Sequence, residues 1–533
     1  MSPPGQSSGR ILVPNGCAFG PARCDLPDCP AATWAQFARL PCIDETFVPK
    51  AKVELTFLAQ RRTRRMLARG RSSEKGIRIQ AVRRFMFKKI LIANRGDIAV
   101  RVIRAAREMK IATVAVYSQA DAEALHVRIA DEAVCIGPAD RKGSYLNAPN
   151  ILSAAVITGC DAVHPGIGFL AEVASFAEMC GDLGLKYIGP PVSAIETMGD
   201  KIQARATMEK AGVPIVPGTN IAMRDPAEAQ KIAHKIGFPV MIKASGGGGG
   251  RGIRVVHDEE DFAKSLRTAQ MEAESSFGNP DVYIEKFIET FRHVEVQILA
   301  DEHGNVLHLG ERDCSIQTAR YQKMVEEAPA PNLPPAVRRR ICDAAVRAAK
   351  AAGYTNAGTV EFIVAPDGQF YFMEMNTRLQ IEHPVTEAVT GVDLVKWQIR
   401  IAAGEKLKFS QRHVEWKGHA LEVRVTARDP ERDFAPSAGR IQTVRFPGGL
   451  GVRVDTHVFS GYDVPPYYDS MLAKIIVWDE DREGAIARML SALHETEIVG
   501  VKTDIEYHKK ILSNPHFAKA DLSTSFLSRY LPE

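Results

Sequence analysis

At 533 residues the chain has room for roughly three domains of ~150 residues. Hydrophobic residues at 45% and charged residues at 25% are ordinary for a globular protein, and no apolar run approaches the roughly 20 residues of a membrane span. The net charge of +4 is uneven: residues 1–85 carry about nine excess positive charges and the remainder is mildly acidic, so the charge is no argument for nucleic-acid or membrane binding by the folded body.

Residues 1–85 are rich in Pro, Gly and Arg and show little periodicity. Three readings stand: an upstream frame joined to a gene that starts at Met86, an organellar presequence, or a basic disordered arm. The first is favoured because an ordered pattern starts at Met86; acids at Asp25, Asp28, Asp44 and Glu45 speak against the second. Four of the nine cysteines (Cys17, Cys24, Cys29, Cys42) lie here; with no metal-type pair among the nine, the other five, scattered in apolar contexts, read as reduced thiols of a cytosolic compartment.

From Met86 to about residue 200 the pattern is α/β. FKKILIAN, IATVAVYS, DEAVCIG and DAVHPG read as strands with helices between them, which predicts a parallel sheet with crossovers. The first turn, Arg95-Gly96-Asp97, lacks the dinucleotide fingerprint. His164–Phe169 sits at a strand end, where ligands bind in open α/β sheets.

Residues 201–290 form a smaller unit: a helix from Lys201, a Pro/Gly-rich linker at 212–220, a helix, and the strand FPVMIKAS. Gly246–Gly250 and Arg251-Gly252 then join it to the strand IRVV, which predicts a hairpin lid. Each glycine is entropically unfavourable by roughly 0.5–1 kcal/mol relative to Ala. Such a loop needs a ligand that accepts many backbone N–H bonds, such as a polyphosphate, although no Walker pattern occurs. Lys243, at the end of the preceding strand, is placed to reach phosphates.

The part from 291 to 420 starts with alternating strands, HVEVQILAD and NVLHLGERDCSIQ, and a helix, PAVRRRICDAAVRAAKAAG. Thr359–Val364 and Gln369–Asn376 flank Pro366-Asp367-Gly368 and predict an antiparallel hairpin. If Val364 faces Tyr371, Glu361 faces Glu374, and the two carboxylates repel unless a cation lies between them. Asn376 projects from the same face as Glu374. Two carboxylates and an amide oxygen are hard ligands suited to Mg²⁺. Arg378 and Glu382-His383 follow, a fixed cation and a candidate base. Residues 421–533 hold mixed strands and a helix; a buried Arg424 there needs an acid partner or an anion.

A Gly-rich lid, a two-Glu metal site and a set of cations together point to ATP and phosphoryl transfer to a small anionic acceptor. The arrangement resembles the ATP-grasp ligases. ANRGDIAVRVIRA (93–105), KASGGGGGRGIRVV (243–256), ERDCSIQ with QKMVEEAPAP (311–331), EMNTRLQIEHPVTE (374–387) and PPYYDSMLAKII (465–476) resemble biotin carboxylase over about 84% of the chain. The resemblance implies α/β and α+β architecture: an N-terminal parallel α/β domain (86–200), an ATP-grasp lid (201–290), a large ATP-grasp part with the metal site (291–420) and a C-terminal mixed-sheet domain (421–533). It implies that ATP converts bicarbonate to carboxyphosphate, whose CO₂ passes to N1′ of biotin.

By match of motifs, Lys201, Lys243, His293 and the lid glycines Gly248, Gly249 and Gly250 would contact phosphates. Glu285, Lys286, Ile288 and Gln317 would hold the adenosine, the backbone of Lys286 and Ile288 reading the adenine. Glu361, Glu374 and Asn376 would bind Mg²⁺ or Mn²⁺; Lys323, Arg378, Gln380 and Ile381 would hold bicarbonate; Glu382 would be the general base, and Arg424 would stabilise the biotin anion. The chain departs from the family at Ile167 (usually Tyr), at Ala171-Glu172-Val173 (usually Ser-Glu-Asn), both near the biotin end, and in the 317–323 loop. That loop is one residue longer and has Tyr321 for His, so ribose contacts and the approach to Lys323 are expected to shift.

No Met-Lys-Met motif for biotin attachment occurs. The implied protein is a cytoplasmic homodimer that works with a biotin carboxyl carrier protein and a carboxyltransferase in trans, in acetyl-CoA carboxylase and fatty acid biosynthesis. Pyruvate, 2-oxoglutarate and propionyl-CoA carboxylases are alternatives. So are an ATP-grasp ligase with an amine acceptor and a non-catalytic nucleotide-binding partner.

Overall fold

The computed structural model describes residues 86–532 except 220, 221, 224 and 246–252. The basic extension and the lid glycines Gly248, Gly249 and Gly250 lie outside the described residues.

Apolar runs bounded by turns form a five-stranded parallel sheet in the spatial order Glu132–Gly137, Ala112–Ser118, Lys89–Ile92, Ala162–His164, Lys186–Tyr187. The order reverses between Lys89–Ile92 and Ala162–His164, which opens a crevice at their carboxyl ends. There Asn94 Nδ2 donates to Pro165 O and Ile167 O, each at 2.8 Å, and fixes the 165–168 turn. Gly166 has φ +68°, and a Cβ on it would lie 2.7 Å from Asn94, so only glycine fits.

Strands Ile253–Val256, Val240–Ala244 and Val282–Lys286 make a three-stranded antiparallel sheet under helices Pro226–Ile236 and Phe262–Phe277. Val240–Ala244 and Ile253–Val256 pair as the two arms of the expected hairpin.

The third sheet has eight strands in the order Phe370–Asn376, Asn356–Val364, Arg292–Ala300, Val306–Gln317, Lys323–Ala328, His419–Thr426, Met471–Asp479, Val452–Thr456. Strands on both sides of residue 420 therefore share one sheet. Where the sequence reads a mixed C-terminal sheet, every pairing is antiparallel. The connections from His419–Thr426 to Met471–Asp479 contain no α-helix to carry a parallel crossover.

The hairpin forms at Pro366-Asp367-Gly368, with Gly368 at φ +78° donating to Ala365 O at 2.9 Å. Glu361 faces Glu374 as expected, but Val364 pairs with Phe370 and not Tyr371. The ladder slips by one residue between Glu361 and Phe362, where Met373 is the extra residue. Arg292–Ala300 alternates in sequence yet is buried on both faces. Its apolar side meets helix Pro335–Ala351, and its polar side (His293, Glu295, Gln297) is covered too.

Candidate active site

A cavity of about 630 Å³ opens over the polar face of the eight-stranded sheet. It is lined by Lys201, Lys243, Glu285, Lys286, Ile288, His293, Gln317, Lys323, Glu361, Glu374, Asn376, Arg378, Gln380, Ile381, Glu382 and Arg424. The candidate site residues that are described, His383 excepted, thus meet in one place. His383 is buried and its Nδ1 lies 2.8 Å from Gln380 O. Burial, then Lys474, Arg101 and Arg453, push its imidazole well below the usual histidine range, so it stays neutral.

At one end Glu285, last but one of the strand Val282–Lys286, meets Lys243 Nζ at 2.5 Å and Arg205. Burial raises its pKa, but Lys243 and Arg205 outweigh that and hold the carboxylate below its ordinary value. Arg205, on helix Lys201–Lys210, is invisible to motif reading, as nothing in that helix predicts a partner 80 residues away. The Lys286 side chain turns away, donating to Gly237 O at 2.9 Å and Phe238 O at 3.0 Å. Its backbone N–H donates to Pro217 O at 2.8 Å.

In the middle, His293 Nε2 lies 2.9 Å from Glu361 Oε2, and Gln317 Nε2 donates to its Nδ1 at 2.9 Å. Glu361 Oε1 also accepts from Asn376 Nδ2 at 2.8 Å, Gln380 Nε2 at 2.7 Å and Lys323 Nζ at 3.2 Å. Burial acts to raise Glu361, but Lys323 and His293 bring it far below the usual carboxylate range. Glu374 goes the other way: burial and then Glu361 opposite raise it, and its nearest cation, Lys201, is 3.8 Å off. Two facing carboxylates, one of them short of positive charge, with an amide beside them, fit a hard divalent cation.

At the far end Lys323 Nζ donates to Glu382 Oε1 at 2.6 Å and Glu295 Oε2 at 2.7 Å. Burial would neutralise the lysine, but Glu295, Glu361 and Glu382 keep it charged. Arg424 bridges Glu326 at 2.5 Å and Glu382 Oε2 at 3.0 Å, which answers the need for an acid partner. Burial raises Glu382, yet Lys323, Arg424 and Arg312 hold it well below its ordinary value. Glu382 precedes helix His383–Thr390, whose N-terminal dipole favours the same anion. Arg378 donates to Gln380 Oε1 at 2.8 Å and Asn376 Oδ1 at 3.1 Å. Ile381 O accepts from the buried Lys474 Nζ at 2.9 Å.

Glu295, Arg312, Glu326 and Lys474 were missed by sequence reasoning. The one signal was the His293-Glu295-Gln297 alternation, which reads equally as a solvent face. Gln317 pairs with Lys323 across the 318–322 turn, and the ladder slips by one residue between Ile316 and Gln317, where Met324 is the extra residue. Tyr321 on that turn has φ +59° and is 59% exposed at the cavity mouth. Ile167 also lines the cavity.

Three family models match the chain: biotin carboxylase N-terminal domain over 86–195, the ATP-binding domain of carbamoyl-phosphate synthase L chain over 200–410, and biotin carboxylase C-terminal domain over 422–529. Biotin carboxylase 1 of Bacillus subtilis is 56% identical over 84% of this chain and 99% of its own length. The pyruvate carboxylase subunit of Methanothermobacter thermautotrophicus is 54% identical over 84% of this chain and 90% of its own. Among solved structures, the biotin carboxylase domain dimer of Hydrogenobacter thermophilus 2-oxoglutarate carboxylase, with MgADP, ADP and bicarbonate, superposes with a TM-score of 0.80. It is 50% identical and covers 84% of this chain and 98% of that one. The Campylobacter jejuni biotin carboxylase–β,γ-ATP complex gives 0.81 at 47% identity, covering 83% and 99%.

Proposed function

Since the chain belongs to the biotin carboxylase family of ATP-dependent carboxylating ligases, we propose that it uses ATP and bicarbonate to carboxylate biotin on a separate carrier protein. The observation that carries this reading is Glu382 held between Lys323 and Arg424, in the same cavity as the Glu361–Glu374 pair. In the proposed assignment Glu285, Gln317 and the carbonyl of Lys286, with Ile288, hold the nucleoside. Lys201, Lys243 and His293 hold the phosphates, with the lid glycines.

Glu361, Glu374 and Asn376 hold Mg²⁺, or Mn²⁺ in its place. The metal, when bound, neutralises phosphate charge. Arg378, Lys323, Gln380 and the Ile381 backbone hold bicarbonate. Two cations beside that anion lower the cost of removing its proton, which passes to Glu382. The deprotonated bicarbonate attacks the γ-phosphorus, ADP leaves, and carboxyphosphate forms. It breaks down to CO₂ and phosphate; the phosphate takes the proton from N1′ of biotin, and the resulting anion, faced by Arg424, bonds through N1′ to the carbon of CO₂. Glu382 is a weak base, but one that is always charged near neutral pH; positioning supplies the rest.

The carrier and carboxyltransferase act in trans on a homodimer of this chain, and the final acceptor is acetyl-CoA. Relatives named for pyruvate and 2-oxoglutarate carboxylation make those acids the competing acceptors. Among the described residues no helix is long and apolar enough to cross a membrane, and the cytoplasm is the proposed compartment, an organelle the alternative. Chain starting at Met86 is assayed for ADP release with Mg-ATP and bicarbonate, with and without biotin. Stimulation by biotin is expected. Bicarbonate-dependent turnover that ignores biotin reassigns the acceptor, and tight ATP binding without turnover points to a regulatory partner. Mass spectrometry of the purified chain is expected to find no biotinyl-lysine. Labelled bicarbonate, with carrier and transferase from the same source, is expected to appear in malonyl-CoA.

A further inference from the structure

Arg378 has five N–H donors, and four have partners. Nε donates to Glu172 Oε2 at 2.9 Å, NH1 to Gln380 Oε1 at 2.8 Å and Leu379 O at 3.2 Å, and NH2 to Asn376 Oδ1 at 3.1 Å. The other Glu172 oxygen accepts from the Thr377 backbone N–H at 3.1 Å. One carboxylate therefore grips two consecutive residues just past the strand that carries Glu374 and Asn376. Glu172 comes from a different part of the fold: it follows the 165–168 turn that Asn94 fixes at the crevice of the parallel sheet.

The alternative places for the guanidinium are damaging ones. After burial and Glu172, the charges that act on Arg378 are Glu382 and Glu361. Released from Glu172, Arg378 would be drawn toward the base or a metal-facing carboxylate. An ordinary surface ion pair is worth ~0–1 kcal/mol and positions nothing. This one differs in that Arg378 is largely buried, and its partner is pinned by a second hydrogen bond to backbone.

We infer that Glu172 is a positioning residue for bicarbonate capture: from the N-terminal sheet it fixes the plane of the Arg378 guanidinium, so that the anion place is complete only when the 165–173 loop is docked. This rests on the bicarbonate reading above. A displacement of about 1 Å at a positioned group can lower activity ~10²-fold without much loss of stability.

The experiment is steady-state ADP release by wild type, Glu172→Gln and Glu172→Ala, with bicarbonate and Mg-ATP varied separately, alongside melting curves. The expected result is a bicarbonate KM raised tenfold or more in Glu172→Ala. Its Mg-ATP KM stays within about twofold, kcat falls far less than KM rises, and Tm is little changed. Glu172→Gln, which keeps one acceptor oxygen, recovers part of the loss. An unchanged bicarbonate KM overturns the role. Equal rises in both KM values with a lowered Tm also overturn it, as they mark a structural effect. If wild type itself shows no bicarbonate dependence, the functional reading falls first; if it does and the variants match it, only the role of Glu172 falls.

Discussion

Lys323 Nζ lies 2.6 Å from Glu382 Oε1, and the same ammonium serves Glu295 at 2.7 Å and Glu361 at 3.2 Å. One buried cation thus holds three buried carboxylates together. Removing one partner of a buried pair typically destabilises by ~3–5 kcal/mol, since the charge left behind has neither water nor counter-ion. Lys323→Met is expected to lower Tm by several degrees and to abolish bicarbonate-dependent ADP release. Adding Glu382→Gln should restore part of the Tm and none of the activity. A Lys323→Met protein that melts with wild type would mean the ammonium does not organise these acids.

Glu382→Gln alone removes a general base and should slow ADP release by ~10²–10⁴-fold. Nucleotide binding, read by fluorescence titration, should be near wild type, because Glu382 is at the far end of the cavity from Glu285. An equally weakened nucleotide affinity would argue for collapse of the site instead.

The acids differ in the sign of their pH effect. Glu382 and Glu361 are depressed by Lys323 and its neighbours against the pull of burial. Their stabilisation is complete above the unfolded pKa, ~4.3, and is lost as pH falls through the lower folded values. Glu422 is the reverse. It faces Glu326 across the ladder, is fully buried, and has neither oxygen hydrogen-bonded. Burial raises it well above its ordinary value; Lys474 offsets only part of that, and Glu326 adds to it. Its folding cost therefore sets in above pH ~4.3 and grows as pH rises toward the folded value. Glu422→Gln should shift the urea midpoint little at pH 4 and clearly upward at pH 8. An equal shift at both pH values would show that no proton is held there.

Glu374→Gln should raise the Tm of the nucleotide-free protein, because it removes the charge facing Glu361. It should also cancel the extra stabilisation that Mg²⁺ gives with ADP, which for a ligand at 100 times its Kd is about 2.7 kcal/mol. Melting curves with ADP, with and without EDTA, make the comparison. A Mg²⁺ increment that survives in Glu374→Gln would move the metal elsewhere.

Tyr321 holds a left-handed backbone conformation without being glycine. Such a residue is strained by ~1–2 kcal/mol, part of which glycine loses again through chain entropy. Tyr321→Gly should therefore be more stable by up to ~1 kcal/mol in urea unfolding. A loss of stability would mean that the ring makes contacts that outweigh the strain.

The hairpin was legible from sequence because its determinants are local. Pro366-Asp367-Gly368 sets the turn, and alternation then puts Glu361 opposite Glu374 whatever the rest of the chain does. The one-residue slip at Met373 was not legible, since a bulge changes the count without changing the pattern. Lys243, at the end of an apolar strand and before a glycine run, was readable for the same local reason. The extra residue near Tyr321 was visible as a length difference, but the one-residue slip in the ladder beside that turn was not.

What the tertiary structure alone decided is which charged groups meet. Arg205 finds Glu285, Lys323 finds Glu295, Arg424 finds Glu382, and Arg378 finds Glu172, across separations of 80, 28, 42 and 206 residues. A strand such as Arg292–Ala300 shows the same alternation whether its polar side faces water or a cavity. Only the order of strands in the sheet, and what packs above it, turns that polar side into a site. The reason is physical: backbone dihedrals and turns are set within a few residues, whereas the field at a buried carboxylate is set by whatever charges the topology brings within a few ångströms.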